Sequence, residues 1–190
     1  MDTAVPTHPT GSPVGRGSHA PHTVHVRDLV ITTRSGRLLI GPTSFDAHED
    51  SLTLLAGADP AARWALGTAL AGVLPPERLT LAGRIEVAGR HTPPLLRTVA
   101  ALAQSWRIRG VARTVDRRLA ALSWAASLTV PLIVLSPGLD GLAAEECQRV
   151  LEAAQRIAAT GRTLLVTAPV TAEALAAAAG IATIELPPRF

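Results

Sequence analysis

A short apolar segment that leads at once into a helical pattern is the feature that most constrains the fold. Leu52–Ala56 has the length and composition of a buried strand, and it stops at Gly57. A helical pattern follows at 61–71 and ends at Gly72, a residue typical of helix termination. A buried strand followed this closely by a helix indicates an α/β protein.

The rest of the chain extends the same pattern. Residues 24–31 predict an edge strand, 34–37 a turn and 38–40 a second strand. Further strands are predicted at 84–88, 99–103, 132–135, 163–167 and 181–186, and further helices at 115–128, 143–159 and 171–179. Antiparallel strands first, followed by alternating strands and helices, predict an α/β fold with a mostly parallel core sheet.

The composition excludes several kinds of chemistry. All 18 basic residues are arginine, and tyrosine is absent. A lysine Schiff base, a phenol as general acid and the usual lysine of a phosphate loop are therefore impossible. The 34 alanines and 26 leucines, with arginine in place of lysine, fit the codon bias of a GC-rich genome. A net charge of +3 is too small to indicate a nucleic-acid partner.

The first residues differ in composition from the rest. Residues 1–23 consist largely of Pro, Gly, Ser, Thr and His, so we expect a disordered low-complexity tail followed by one domain at 24–190. The spacing of His19, His22 and His25 allows two interpretations. It is either a metal-binding segment or a solvated tail, and a tail without surrounding structure to orient the imidazoles favours the second.

One charge-free segment is long enough to cross a bilayer. It runs from 119 to 139 and contains Pro131. A helix that ends near Leu128, followed by a buried strand at 132–135, explains the segment without a membrane, and we favour that interpretation. No apolar stretch follows the initiator methionine, and Cys147 has no partner for a disulfide or a multi-cysteine metal site. We therefore expect a cytoplasmic location, and we expect Cys147 on the inner face of its helix.

An ordered set of segments resembles a known family. Residues 54–72 read LLAGADPAARWALGTALAG, and LAGRIEVAG follows at 81–89. They resemble the phosphate loop, helix and next strand of an ATP-binding-cassette (ABC) nucleotide-binding domain. Three later segments resemble the glutamine-loop strand, the Walker B strand and the strand before the switch histidine, and these are 99–104, 132–135 and 161–167. The resemblance covers 24–187 and implies a P-loop NTPase-like fold.

The phosphate-loop positions are mostly replaced. Such a loop needs glycines whose N–H groups converge on phosphate, a lysine for the outer phosphates and a hydroxyl for magnesium. Gly57 matches the first glycine. The other positions hold Pro60 and Ala62 for the glycines, Arg63 for the lysine, and Trp64 and Ala65 for the hydroxyl residues. Pro60 removes a donor, and the planar fork of Arg63 differs from a compact ammonium.

The metal-binding and catalytic positions are replaced as well. Ser136 and Pro137 stand where the family has the magnesium aspartate and the catalytic glutamate. Ala168 stands at the switch histidine, and Thr33 stands near the aromatic residue that stacks on adenine. Of the residues that contact nucleotide or metal in the family, Gln104 persists.

Two alignments fit the segment after the Walker B strand. Without a gap, Gly141-Leu142 matches the family's Gly-Leu-Asp and Ala143 replaces the aspartate; with a gap, 138–140 (Gly-Leu-Asp) matches it. We prefer the first, since the next helix keeps its spacing. The signature sequence has no counterpart, and the segment that follows Gln104 is short. The resemblance therefore implies a truncated helical subdomain.

The resemblance to ABC domains and the replaced motif residues together predict a function. The candidate nucleotide-contacting residues are Gly57, Arg63 and Gln104, as vestiges, and no catalytic or metal-binding residue is assigned. We expect a degenerate ABC-type ATP-binding subunit with little or no ATP hydrolysis. Its partner would be a competent ABC ATPase or a transporter membrane subunit, with only peripheral attachment to the inner face of the plasma membrane. The alternatives are an interaction module outside transport, and an ATPase that binds Mg-ATP through Arg63.

Two charged clusters allow further interpretations. Five arginines stand within twelve residues, at 107, 109, 113, 117 and 118. They are either a contact for an anionic partner or lipid head groups, or an ordinary solvated face, and we favour the second. Asp46, His48, Glu49 and Asp50 are explained better by a turn between strands than by a metal site.

Overall fold

The computed structural model describes residues 22–57, 59–104 and 113–187. Eight strands and five helices lie within these residues. The strands are β1 His22–Thr33, β2 Leu38–His48, β3 Leu52–Ala56, β4 Leu79–Val87, β5 Ala100–Ala103, β6 Leu132–Leu135, β7 Thr163–Ala168 and β8 Ala182–Glu185. The helices are α1 Pro60–Leu70, α2 Pro93–Val99, α3 Thr114–Ala126, α4 Ala144–Ala158 and α5 Glu173–Ala178, and a 3-10 turn at Val170–Ala172 precedes α5.

The first three long strands form an antiparallel sheet in the order β2-β1-β4. The prediction of β1 as an edge strand was wrong, because β4 returns to pair along its second side. β2 is also longer than predicted and contains Asp46 and His48, so only Glu49 and Asp50 lie in the expected turn. Side chains alternate along β1: Val24 and Val26 are fully buried, whereas His25 faces outward.

The other five strands form a parallel sheet in the order β5-β6-β7-β3-β8. Every residue of β3, β6 and β7 is buried, as expected for parallel strands that are covered on both faces. The predicted α/β fold with a parallel core sheet and N-terminal antiparallel strands is confirmed.

Two apolar cores hold the layers together. The first core lies between α1, the antiparallel sheet and one face of the parallel sheet, and includes Leu66 and Leu70. The second lies between the other face and α3, α4 and α5, and includes Cys147. Burial raises the pKa of the Cys147 thiol, as expected for a cysteine that packs as a core residue. α1 therefore lies between the two sheets, and its N-terminus follows β3 directly.

Two segments refine the sequence interpretation. α2 was not predicted; it begins with Pro93 at a first-turn position and ends where β5 begins. The charge-free run 119–139 is divided between α3 and β6, and no helix among the described residues has the length and apolar character to cross a membrane. The predicted tail, apart from its last two residues, lies outside the described residues.

Candidate functional site

The loop between β3 and α1 carries the segment that resembles a phosphate loop. α1 begins at Pro60, which has no N–H to donate. Asp59 is the N-cap residue, and its carboxylate accepts a hydrogen bond from the backbone N–H of Ala61 at 2.9 Å. The Asp59 carbonyl accepts the N–H of Arg63 at 3.1 Å. The helix N-terminus, where an anion would bind, therefore already holds a carboxylate of the chain itself.

Arg63 stands at the position that the resemblance matches to the lysine of a phosphate loop, and its side chain points into the protein. The side chain is 4% exposed, and one terminal nitrogen donates to the carbonyl of Gly57. The other terminal nitrogen donates to the Asp140 carboxylate and forms an ion pair with it. The guanidinium is thus bound to a carbonyl and a carboxylate that flank the site.

A second buried arginine fixes the loop that carries Asp140. Arg118, on α3, is 5% exposed, and its Nε donates to the Gly138 carbonyl at 2.8 Å. A terminal nitrogen also lies 3.5 Å from the Asp140 carbonyl. Burial lowers the pKa of the Arg118 guanidinium, and the charge of Asp140 opposes that shift. Both interpretations of Arg118 as a surface residue were wrong, because α3 packs this side chain against the loop after β6.

Ser136, in place of the magnesium aspartate, packs against α1. It is fully buried, and its hydroxyl lies 3.5 Å from the Arg63 carbonyl. A Cβ at Gly67 would lie 2.6 Å from the Ser136 Oγ, so a glycine is needed for this approach. The Ser136–Pro137 peptide is cis, and the N–H of Gly138 donates to Thr167 Oγ1 at 3.0 Å. The loop after β6 therefore lies directly on the helix.

The remaining predicted site residues lie in different surroundings. Gly57 donates its N–H to the Ala168 carbonyl at 3.1 Å, which joins the phosphate-loop and switch positions through backbone alone. Gln104 is buried at the end of β5 and lines a separate pocket of about 280 Å³ beside Val73 and Trp124. The structure thus brings Gly57 and Arg63 together, and no described hydrogen bond joins Gln104 to them.

These surroundings do not fit a magnesium nucleotide. The positions that match the magnesium hydroxyl hold Trp64 and Ala65, which have no hydroxyl. The positions that match the two carboxylates hold Ser136 and Pro137, which have no carboxylate. The Asp59 carboxylate occupies the helix N-terminus, and a triphosphate would bring negative charge beside it and beside Asp140. Among the side chains that the structure describes, in residues 24–57, 59–104 and 113–187, no three of His, Cys, Asp or Glu converge to hold a metal ion. The His19 of the proposed metal spacing lies outside the described residues.

Sequence reasoning missed three residues of this cluster, and only one had a local signal. Asp59 precedes a proline at the start of a helix, the pattern of an N-cap residue. Asp140 appeared only in the gapped alignment, and it meets Arg63 across 77 residues of sequence. Arg118 gave no signal, because its burial depends on how α3 packs.

Comparison with known proteins yields structural likeness alone. No family model matches the sequence, and no curated protein matches it. A bacterial Atm1-family ABC exporter with ATP bound is similar at 15% identity and a TM-score of 0.58; the match covers 94% of this chain and 40% of the exporter chain. An ATP-binding subunit of an ABC transporter is similar at 16% identity and a TM-score of 0.60, over 88% of each chain.

A third solved structure agrees with these two. It is a nucleotide-free ATP-binding cassette from an ABC transporter, at 12% identity and a TM-score of 0.62, and the match covers 77% of this chain and 81% of that one. At such low identity the likeness shows the fold and nothing of the chemistry. The chain therefore has the α/β fold of an ABC ATPase domain, which confirms the fold implied by the sequence resemblance.

Proposed function

We propose that this chain is a degenerate ABC-type subunit that hydrolyses little or no ATP and acts as the passive or regulatory partner of an ABC transporter. The observation that carries the proposal is the pairing of Arg63 with Asp140 and with the Gly57 carbonyl. The Arg63 guanidinium, at the position that matches the lysine, is already bound by groups of the chain itself. A fold that keeps this arrangement can serve as a binding partner without turning over nucleotide.

The energetics support weak or absent nucleotide binding. A triphosphate would have to displace the Asp59 carboxylate from the N–H of Ala61 and separate Arg63 from Asp140. Separation would leave a charge without its partner in a mostly buried place, which typically costs several kcal/mol. Loss of a single preorganised catalytic donor costs about 3–4 kcal/mol in barrier, and here several are replaced together. These costs also argue against an ATPase that works through Arg63.

The test of the nucleotide proposal is a thermal-unfolding titration with Mg-ATP. We expect no rise in Tm up to about 1 mM, whereas a site with a Kd near 10 μM would gain about 2.7 kcal/mol at that concentration. A competent ABC ATPase treated in parallel is the positive control. A saturable rise that disappears in Arg63→Gln would overturn the proposal and support nucleotide binding through that arginine.

An exposed apolar face supports the proposal of a protein partner. We call it the β5-edge face; it lies beside β5, at one edge of the parallel sheet. Its apolar members are Val73, Leu102, Trp124, Leu128 and Val130. Trp124 is 46% exposed and Val73 40% exposed, which is unusual for such large apolar side chains. A membrane subunit or a competent ATPase that covers this face would hold the chain at the inner face of the plasma membrane.

Affinity capture from detergent-solubilised membranes tests the partner. A tagged chain should recover a transporter membrane subunit or an active ABC ATPase, and Trp124→Asp should abolish recovery. Val170→Asp is the matched control, since Val170 is 48% exposed and lies outside the β5-edge face. Recovery of proteins unrelated to transport, with the same dependence on Trp124, would support the alternative, an interaction module outside transport. Recovery of the chain alone would contradict both.

A further inference from the structure

A large cavity lies near the other end of α1 from the phosphate-loop segment. It has a volume of about 630 Å³ and runs between β4, the C-terminal part of α1 and the start of α2. We call it the β4 slot. Its lining residues are Arg34, Ala69, Gly72, Leu74, Pro76, Leu79, Thr80, Leu81, Gly83, Arg84, Ile85, His91, Pro93 and Leu96. This volume is in the range of cavities that bind small molecules.

The walls of the β4 slot are aliphatic. Leu79, Leu81 and Ile85 stand at odd-numbered positions of β4 and are more buried than the residues at 80, 82 and 84, so they share the inward face of the strand. Gly83, at the same spacing, contributes no side chain. Leu74 and Leu96 add further aliphatic surface, and the imidazole of His91 is the one aromatic ring among the lining side chains. An alkyl chain fits such a mostly aliphatic surface better than an aromatic ligand, which prefers to pack against several aromatic rings.

The charge around the slot has one sign. Three lining residues carry basic side chains, and none carries a carboxylate. Arg34 donates from Nε and from a terminal nitrogen to the Pro76 carbonyl at 2.8 and 2.6 Å, which fixes the guanidinium without neutralising it. Arg84, in contrast, is paired with Glu86 at 2.8 Å. Within the described part of the chain, no carboxylate forms an ion pair with Arg34, so its charge can attract an anion.

We propose that the β4 slot binds one medium-chain fatty-acid anion, with the carboxylate at Arg34 and the alkyl chain along β4. Thr33 pairs with Leu79, so Arg34 lies beside the start of β4. An extended chain from that point passes Leu79, then Leu81, then Ile85, over about 20 Å of strand. The walls come from two helices and a strand, which makes the slot a concave site for a single chain.

The test compares three small probes by saturation-transfer NMR and calorimetry, each below its micelle concentration. Decanoate should bind, because it has both the chain and the anion. Decyltrimethylammonium has a similar chain with the opposite charge and should bind at least about tenfold more weakly. Acetate has the carboxylate without the chain and should not bind. Equal binding of decanoate and the ammonium compound would overturn the proposal, since it would indicate non-specific apolar adsorption.

Two variants locate the site. Arg34→Gln should weaken decanoate binding by about tenfold, the effect of one charge-assisted contact. Arg37→Gln is the matched control, since Arg37 is an exposed arginine of the same turn that does not line the slot, and it should leave binding unchanged. Leu81→Trp should block the chain and abolish binding, provided that circular dichroism shows native structure. Because Arg34 is exposed, Arg34→Gln should fold whatever the outcome at Leu81. Unchanged decanoate affinity in Arg34→Gln would contradict the proposal.

Discussion

The two ends of α1 meet different surroundings. At its N-terminus, the carboxylates of Asp59 and Asp140 and the guanidinium of Arg63 are bound to each other or to the helix backbone. Near its C-terminus, Ala69 and Gly72 form part of the open β4 slot. Charged groups are thus paired with other groups of the chain at one end, whereas apolar surface is left open at the other.

This difference separates the fold from the chemistry that the fold usually carries. A helix N-terminus binds anions when its N–H groups are free and a cation lies near. Here the Arg63 guanidinium and the Ala61 N–H are bound by groups of the chain itself, whereas the slot at the other end has room for a ligand. Mutations at the N-terminal end should therefore change stability, and mutation of an exposed slot residue such as Arg34 should change binding with little effect on stability.

We expect the largest loss of stability from a mutation that breaks the buried ion pair of Arg63 and Asp140. Asp140→Ala removes the carboxylate that faces Arg63, whose side chain is 4% exposed. Removal of one partner from a buried pair typically costs about 3–5 kcal/mol, and we expect about 3 because the Asp140 side chain keeps 22% exposure. Urea unfolding monitored by circular dichroism measures the change in the free energy of unfolding.

A surface ion pair in the same protein is the control for that experiment. Asp116 lies 3.7 Å from Arg149, and their side chains are 43% and 54% exposed. Asp116→Ala should cost less than about 0.5 kcal/mol, because water screens such pairs. Similar losses in the two variants would mean that Arg63 has another way to satisfy its charge, and the comparison between the ends of α1 would fail.

The next prediction compares the loss of stability at a core position with the loss at a position in the wall of the β4 slot. Leu70→Ala creates a cavity at a fully buried position of α1 and should cost about 3 kcal/mol. Leu81→Ala removes a half-buried side chain from the slot wall and should cost about 1 kcal/mol, since open space already adjoins it. The same urea titrations measure both. Equal losses would show that the slot is closed in solution, which would also weaken the fatty-acid proposal.

Much of the fold was predictable because its signals are local. Buried strands such as β3 and β6 are short and mostly apolar runs. Three helices, α1, α4 and α5, end two or three residues before a glycine. Two features were not predictable from local patterns. The central place of β1 depends on β4, whose pairing spans tens of residues, and α2 is a single short helix with prolines at its start.

The site was predictable only in part, because some of its contacts join residues that are far apart in sequence. The replaced positions, Arg63 above all, could be found by alignment with the family's motifs. What Arg63 binds could not, because Asp140 reaches it only through the packing of the loop after β6 onto α1. Gly57 is closer in sequence, six residues before Arg63, in the loop between β3 and α1. The burial of Arg118 follows from the same packing. A sequence shows which residue stands at a position of a family's motif, but the contacts of that residue are a tertiary property.

We expect the smallest loss of stability from a mutation of Asp46, a partly buried carboxylate on the outer face of the antiparallel sheet. Burial acts to raise the pKa of Asp46, but hydrogen bonds from His25 and Arg27, at 2.9 Å each, hold that pKa below its usual value. Because the folded pKa is lower than the unfolded pKa of about 3.9, ionised Asp46 stabilises the fold above that value, and the contribution is lost as pH falls through the folded pKa.

Asp46→Asn should therefore cost less than about 1 kcal/mol between pH 7 and pH 5, and the difference from the unmodified protein should shrink below about pH 4. Urea unfolding across this pH range measures it. A difference that persists at pH 3 would assign the stabilisation by Asp46 to neutral hydrogen bonds, in contrast to the charge-dependent pair of Arg63 and Asp140 at the N-terminus of α1.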